Sequence, residues 1–225
     1  MLYIVSTPIG NFKDITLRAI ETLREVDLIA AEDTRHTGKL LKEYGIDTPL
    51  TSHFEHNKLQ KSKILLKEMQ EGRDIALVTD AGTPGISDPG YRLVEVAKQN
   101  GIPVTVVPGP SACLAALSLS GLPTDAFIFE GFLPVKKGAR RKKLEALKNE
   151  KRTVIFYESP HRIIKALEDV RDCLGDPVVV LARELTKKFE EARSQKASTW
   201  LEEYTQKKPK GEFVLLFNLK NPPIF

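Results

Sequence analysis

The chain has 225 residues, about one and a half domains at roughly 150 residues each. Its 41% hydrophobic and 28% charged residues exclude disordered and fibrous classes. Two cysteines, Cys113 and Cys173, make neither a disulfide framework nor a metal cage.

The elements follow in chain order. Met1–Val5 has no basic stretch ahead of it, so a secretory leader is not expected and a soluble, cytoplasmic protein is. Leu2–Val5, Leu28–Ala31, Ile75–Thr79 and Val104–Val107 are short, continuous apolar runs of the kind that form buried parallel strands. Helical patterns fall between them at Thr16–Arg24, Thr37–Tyr44, Lys61–Glu71 and Pro89–Asn100, with Leu17, Ile20 and Leu23 predicted to share one face and Ile64, Leu65 and Met69 another. Alternating strands and helices predict a parallel α/β domain over residues 1–113.

The longest charge-free run, Gln99 to Thr124, could span a bilayer by length. Pro103, Pro108, Pro110 and Pro123 interrupt it, so it reads as strand, turn and a short helix over Ser111–Leu119. Gly121-Leu122-Pro123 is the candidate linker. Residues 114–225 then form a second α/β domain, with strands at Phe127–Phe129, Thr153–Tyr157, Val178–Arg183 and Phe213–Leu219, of undetermined direction. Its helices are expected at Ala139–Leu147, Pro160–Cys173 and Thr199–Lys207. A cleft between two such domains is where ligands often bind.

Charge is uneven. Residues 1–112 hold 13 Lys and Arg against 15 Asp and Glu, whereas residues 113–225 hold 21 against 15. The second half is therefore the one expected to meet a polyanion.

Three strand-to-helix turns draw notice. Ser6-Thr7-Pro8-Ile9-Gly10-Asn11 follows the first strand. With a single glycine it is not a dinucleotide fingerprint, and with no Gly-Lys-Ser/Thr it is not a P-loop. Thr79 to Gly90 packs three glycines, two prolines and two aspartates into a loop with no Lys or Arg. Asp80 and Asp88 would repel a phosphate there, whereas a cationic or amine-bearing ligand suits the loop; Asp88 before Pro89 also fits a helix cap. Val107-Pro108-Gly109-Pro110-Ser111-Ala112 is the third. Each alone reads equally as an ordinary turn, but together they would converge on one edge of a parallel sheet, the expected ligand crevice of an open α/β fold.

Taken in order, further segments complete a pattern: Asp14-Ile15-Thr16, Arg18-Ala19, Ala31-Glu32-Asp33-Thr34-Arg35 and Glu130-Gly-Phe-Leu-Pro134, then Tyr157-Glu-Ser-Pro-His-Arg162, Ala182-Arg-Glu-Leu-Thr-Lys187 and Lys210-Gly-Glu-Phe213. The chain thereby resembles the tetrapyrrole-methylase superfamily, in its ribosomal RNA small-subunit methyltransferase I branch, over nearly its whole length. The resemblance implies a homodimer of two-domain α/β subunits that binds S-adenosylmethionine (AdoMet) in the interdomain cleft and methylates a cytidine ribose 2′-hydroxyl in the decoding region of small-subunit (16S) rRNA. It implies cofactor contacts at Pro8, Asp80, Gly82, Thr83, Ile86, Ser111 and Ala112, and at Phe156, Tyr157, Ala182, Leu185 and Gly211. Relatives often continue with a further C-terminal helical segment, whereas this chain stops at Pro222-Pro223-Ile224-Phe225.

For the chemistry, a ribose hydroxyl needs a base or nearby cations to lose its proton. Asp33 or Glu184 is the candidate base, with Arg35, Arg183 or Lys187 on phosphate or the developing oxyanion; for either carboxylate an ion pair with a basic neighbour is the plain alternative. The run Lys136-Lys137-Gly138-Ala139-Arg140-Arg141-Lys142-Lys143 stacks six cations near a helix N-terminus, where the helix dipole opposes them and a counter-anion such as RNA would help. His161 and Arg162 are candidate RNA contacts with it. His36, His53, His56 and His161 lack a third partner for zinc and are expected as exposed polar side chains; neither a metal nor a membrane is expected.

Overall fold

The structure, a computed structural model, describes residues 1–53, 58–88 and 90–223, with the side chains of residues 58–60 outside the description. It divides into two compact units, Met1–Ser111 and Ala112–Phe225.

The first unit is built on five strands: β1 (Leu2–Val5), β2 (Leu28–Ala31), β3 (Leu50–Ser52), β4 (Ile75–Val78) and β5 (Val104–Val107). Their order in the sheet is β3-β2-β4-β1-β5, and every pairing is parallel, with Ile4 opposite both Leu77 and Val106. Successive residues of a strand face opposite sides of a sheet, and each side has its own helices. Val5, Ile29, Ala31, Ala76 and Val78 pack with Leu23 of α1 (Leu17–Glu25) and with Leu40 and Leu41 of α2 (Thr34–Glu43). Leu2, Ile4, Ala30, Ile75 and Leu77 pack with Leu65 and Met69 of α3 (Lys58–Gln70) and with Leu93 and Ala97 of α4 (Tyr91–Gln99). A sheet covered on both faces explains why its central strands read as unbroken apolar runs.

The expected helical faces need correction. Leu17 is 79% exposed and Ile64 47% exposed, because Ala19, Thr22 and Leu23 are the buried side of α1. The α2 helix begins three residues earlier than the apolar spacing predicts, because Asp33 caps it with its carboxylate on the Arg35 amide. Strand β3 is not legible in the sequence, because three half-buried residues at the sheet edge leave little apolar signal.

The second unit opens with α5 (Ala112–Leu119) and continues through β6 (Phe127–Phe132), α6 (Lys137–Ala146), β7 (Thr153–Glu158), α7 (Ile163–Leu174), β8 (Val178–Arg183), β9 (Glu191–Lys196), α8 (Ala197–Gln206) and β10 (Phe213–Phe217). Its sheet has the order β6-β7-β10-β8-β9. Only β6 and β7 run parallel; β10 is antiparallel to both β7 and β8, and β8 to β9. One face, with Val154, Phe156, Val179, Leu181, Phe213, Leu215 and Phe217, packs on Leu144 of α6, the apolar side of α7 and Trp200 of α8. The opposite face receives α5, which packs on β7 and β10. Strand β9, Glu-Ala-Arg-Ser-Gln-Lys, escaped sequence reading because charge dominates it. Such a composition suits an edge strand, where charge discourages pairing with other chains. Among the described residues no helix is long and apolar enough to cross a membrane.

Candidate functional site

The three loops singled out by sequence leave β1, β4 and β5, which are neighbours in the sheet, and hydrogen bonds lace them together. The Thr7 amide donates to the Gly82 carbonyl at 2.9 Å and the Gly82 amide returns a bond to Thr7 at 3.1 Å. The buried Thr7 hydroxyl donates to the Thr79 carbonyl at 2.9 Å. Ser6 Oγ and Thr83 Oγ1 lie 2.9 Å apart, and Thr83 Oγ1 reaches the Pro110 carbonyl at 3.3 Å.

Glycine is required for this lacing at two points. A Cβ on Gly109 would lie 2.9 Å from Ser6 Cβ, and Gly82 has φ +87° with Ile9 and the Pro110 carbonyl beside it. Pro8 and Gly82 are buried, Thr83 and Ser111 are half-buried, and Ile86 is exposed.

The two aspartates of the long loop have different duties. Asp88 turns inward on its own loop, accepting from the Gly85 amide at 2.8 Å and the Gly90 amide at 2.6 Å. Burial pushes its carboxyl upward against those two amides. It does not cap α4 by side chain, since the cap residue is Gly90; Pro89 lies outside the described residues. Asp80 faces the end of β2: its Oδ1 accepts the Asp33 amide at 3.1 Å. Glu32 accepts the Thr79 hydroxyl at 2.7 Å beside it. Burial first, then the Glu32 charge, raises the Asp80 carboxyl above its usual 3.8. No cationic side chain interrupts residues 79–90, so a bound cation would relieve this repulsion.

Asp33 is held by Arg35 through Nε at 3.1 Å and Nη2 at 2.8 Å. That side-chain hydrogen bonding lowers its carboxyl to about 2. The arginine itself is 88% exposed.

In the second unit, Glu184 adopts φ 49° at the end of β8. Its Oε1 accepts from Lys187 Nζ and from the Glu212 amide, both at 3.1 Å. Burial pushes this carboxyl up, but the Lys187 and Glu212 bonds outweigh it and hold it below the ordinary value. A side chain on Gly211 (φ +91°) would collide with that same carboxylate. Lys187 also reaches Glu212 at 2.7 Å, and Arg183 pairs with Glu191 at 2.7 Å.

Phe156 is wholly buried and packs on Phe217, so its ring belongs to the core. Tyr157 points to the other face, where its hydroxyl accepts the Cys113 amide at 3.1 Å and its ring meets Phe129 and Phe132 edge-on. Ala182 and Leu185 are buried, and Ala112 opens α5.

The basic run forms the first turns of α6, and the structure sorts its members. Arg140 is buried and does not face solvent. It pairs with buried Asp169 at 2.7 Å and donates to the Val135 carbonyl at 3.0 Å. Arg141 lies 3.4 Å from Asp169 and Asp172, and Lys143 pairs with Glu130. Lys136, Lys137 and Lys142 are exposed, with no ion pair among the described residues. His161 is exposed, whereas Arg162 is half-buried, pairing with Glu158 at 3.2 Å and donating to the Leu133 carbonyl.

Glu158, the last residue of β7, is buried with Oε2 lacking a hydrogen-bond partner among the described residues. Its position at the polar end of an otherwise apolar strand is the signal that could have found it. The histidines need one correction: His53 is buried and bonded to Ser62 at 3.1 Å, while His36 is exposed and His56 lies outside the described residues. No group of three His, Cys, Asp or Glu among the described residues could hold a metal ion.

Comparison with known proteins agrees in sequence and in fold. Residues 1–199 match the family model described as Tetrapyrrole (Corrin/Porphyrin) Methylases. The chain is 53% identical to the ribosomal RNA small subunit methyltransferase I of Escherichia coli O157:H7, covering 96% of this chain and 76% of that protein. It is 49% identical to the protein of the same name from Thermotoga maritima, covering 97% and 98%. Among solved structures, the methyltransferase CobJ matches with TM-score 0.72 at 20% identity over 96% of this chain and 93% of that one. Diphthine synthase matches with TM-score 0.74 at 15% identity over 96% and 88%. At such identities the structural matches speak for the fold alone.

Proposed function

Since the chain belongs to the tetrapyrrole methylases and, within them, to the ribosomal RNA small subunit methyltransferase I family, we propose that it uses AdoMet to methylate a cytidine ribose 2′-hydroxyl in the decoding region of 16S rRNA. The observation that carries this reading is identity at about half of all positions, over nearly the whole chain, with proteins so named.

The residues present fit the cofactor. AdoMet supplies a methyl group on a cationic sulfonium. The Asp80 loop offers that charge a half-buried carboxylate and no competing cation, on a backbone that Gly82 and Gly85 bend through positive φ. Pro8, Asp80, Gly82, Thr83, Ile86 and Ser111 would hold it from the first unit. By the family's pattern Ala112, Phe156, Tyr157, Ala182, Leu185 and Gly211 would do so from the second, Phe156 through its backbone because its ring is in the core.

Methyl transfer is an in-line displacement, and positioning supplies much of its rate. The hydroxyl proton passes to Asp33 or Glu184. Arg35, Arg183 or Lys187 holds the adjacent phosphate or the developing oxyanion. The exposed Lys136, Lys137 and Lys142, with His161, meet the RNA backbone. The same reading carries a homodimer, which sedimentation would register, and a cytoplasmic place of work among ribosomal subunits.

The test offers methyl-labelled AdoMet with unmethylated small subunits, deproteinised rRNA and a tetrapyrrole in parallel. Label is expected in subunit RNA, surviving alkaline hydrolysis as an uncleaved dinucleotide. Label in the tetrapyrrole would make this a small-molecule methylase instead. AdoMet binding without any transfer would overturn the ribosomal assignment and leave only the fold and the cofactor standing. Normal single-turnover rates in both Asp33→Asn and Glu184→Gln would remove both as base.

A further inference from the structure

The second unit contains a pocket beside the candidate base Glu184, most of whose lining the proposed chemistry does not use. It has a volume of about 440 Å³ and is bounded by Phe189, Tyr204, Lys207, Lys208 and Lys210, over a floor of Arg183, Glu184, Glu191 and Glu203. That is ample for one ligand of nucleotide size.

Gly211, a proposed cofactor contact, lines the pocket too, but strand register sets it apart from Tyr157 and Ala182. Arg183 lies opposite Phe213, which belongs to the helix-covered core, whereas Ala182 and Tyr157 both lie opposite Val214. Side chains alternate across a sheet, so the pocket opens on the opposite face from Tyr157 and Ala182.

Its charge is also sorted. The carboxylates are already matched: Glu184 by Lys187, Glu191 by Arg183 and Arg193, Glu203 by Arg193. Lys207, Lys208 and Lys210 are exposed and make no ion pair among the described residues, so the rim is net cationic.

An aromatic surface stands beside these cations. Phe189 is 65% exposed, and Lys188 lies 5.7 Å from the centre of its ring. It rides on the β8–β9 turn, where Thr186 (φ 65°) anchors its amide on Glu190 at 2.5 Å. Below, Tyr204 stacks on Trp200 at 5.8 Å, and burial pushes its hydroxyl up to about 12, so it stays a proton donor at neutral pH. Exposed aromatic, hydroxyl donor and unpaired lysines in one concavity are the parts that single-stranded nucleic acid recognition uses: a π-face for a base and cations for the backbone.

We propose that this pocket is a second RNA contact, separate from α6, in which an unpaired base of the ribosomal RNA stacks on Phe189 while its flanking phosphates rest on Lys207, Lys208 and Lys210. It rests on the rRNA reading given above.

The experiment measures binding of unmethylated small-subunit RNA to the full chain across a salt series, with AdoMet affinity measured alongside. Lys207→Gln with Lys208→Gln lowers the slope of log affinity against log salt by about 1.4, the share of two phosphates on a single strand. Arginine at both positions restores it. Phe189→Ala weakens binding about tenfold or more with the slope unchanged, and Phe189→Trp retains it. AdoMet affinity stays constant throughout. Wild-type slope and affinity in both the lysine and the alanine variants, with the parent protein binding RNA normally, overturn this pocket's role alone. Absence of RNA binding by the parent protein defeats both this proposal and the rRNA reading beneath it.

Discussion

Asp80 and Asp33 are joined by a hydrogen bond yet held in opposite electrostatic conditions. Arg35 keeps Asp33 ionised down to about pH 2, so its charge is constant across any working range. Asp80 is raised by burial and by Glu32, so its folded value lies above that in the unfolded chain. Stability at this group is therefore present at low pH and lost as pH rises through its raised value. A cation benefits in the reverse direction, because only the ionised carboxylate attracts it. AdoMet affinity is expected to fall on acidification, beginning above the ordinary carboxylate value of 3.8. Calorimetric titration of wild type and Asp80→Asn should show this pH dependence in the first and its loss, with weaker binding, in the second. An equally steep dependence in Asp80→Asn would assign it to another group.

At the scale of elements, α6 is placed by one buried ion pair. Arg140 and Asp169 are almost completely enclosed. Arg140 also donates to the Val135 carbonyl while Arg162 donates to that of Leu133, pinning the segment that leads into α6. Removing one member of such a pair leaves an uncompensated buried charge, which costs about 3–5 kcal/mol. Asp169→Ala is expected to lose stability of that order in urea unfolding. Replacing both members with apolar residues of similar size should recover much of it. The pair acts on position: it holds Lys137 and Lys142 on the exposed side of the helix that Arg140 anchors from within.

For the whole molecule, the excess of positive charge in residues 113–225 gains a definite distribution. Part of the α6 run is consumed internally, Arg140 and Arg141 by Asp169, and Lys143 by Glu130. The cations of that run left for a polyanion are Lys136, Lys137 and Lys142. Their joint replacement by Gln should lower the salt slope of RNA binding by about 2–3. Arg140→Gln should act on stability, as Asp169→Ala does, and leave the slope unchanged. Filter binding at several salt concentrations, beside a denaturation curve, separates the two effects.

Much of this was legible in the sequence because the forces involved are local. The central strands of the first unit had to be apolar on both faces, and the turns after β1, β4 and β5 had to carry glycine and proline wherever the backbone bends sharply. The family's ordered motifs were legible for the same reason, since each is a short stretch of contiguous residues. Edge strands β3 and β9 were not, because half their surroundings are solvent and their composition follows solvent. The fate of a charge was not legible either. Whether Arg140 meets RNA or Asp169 depends on a residue 29 positions away, and whether Glu184 is a free base depends on Lys187 and Glu212 coming to it. The sequence by itself determined the central elements, the loops that follow them and the family. Only the tertiary structure decided which charged groups are already matched and which remain to bind, because electrostatic pairing depends on distance in space and spacing along the chain does not measure it.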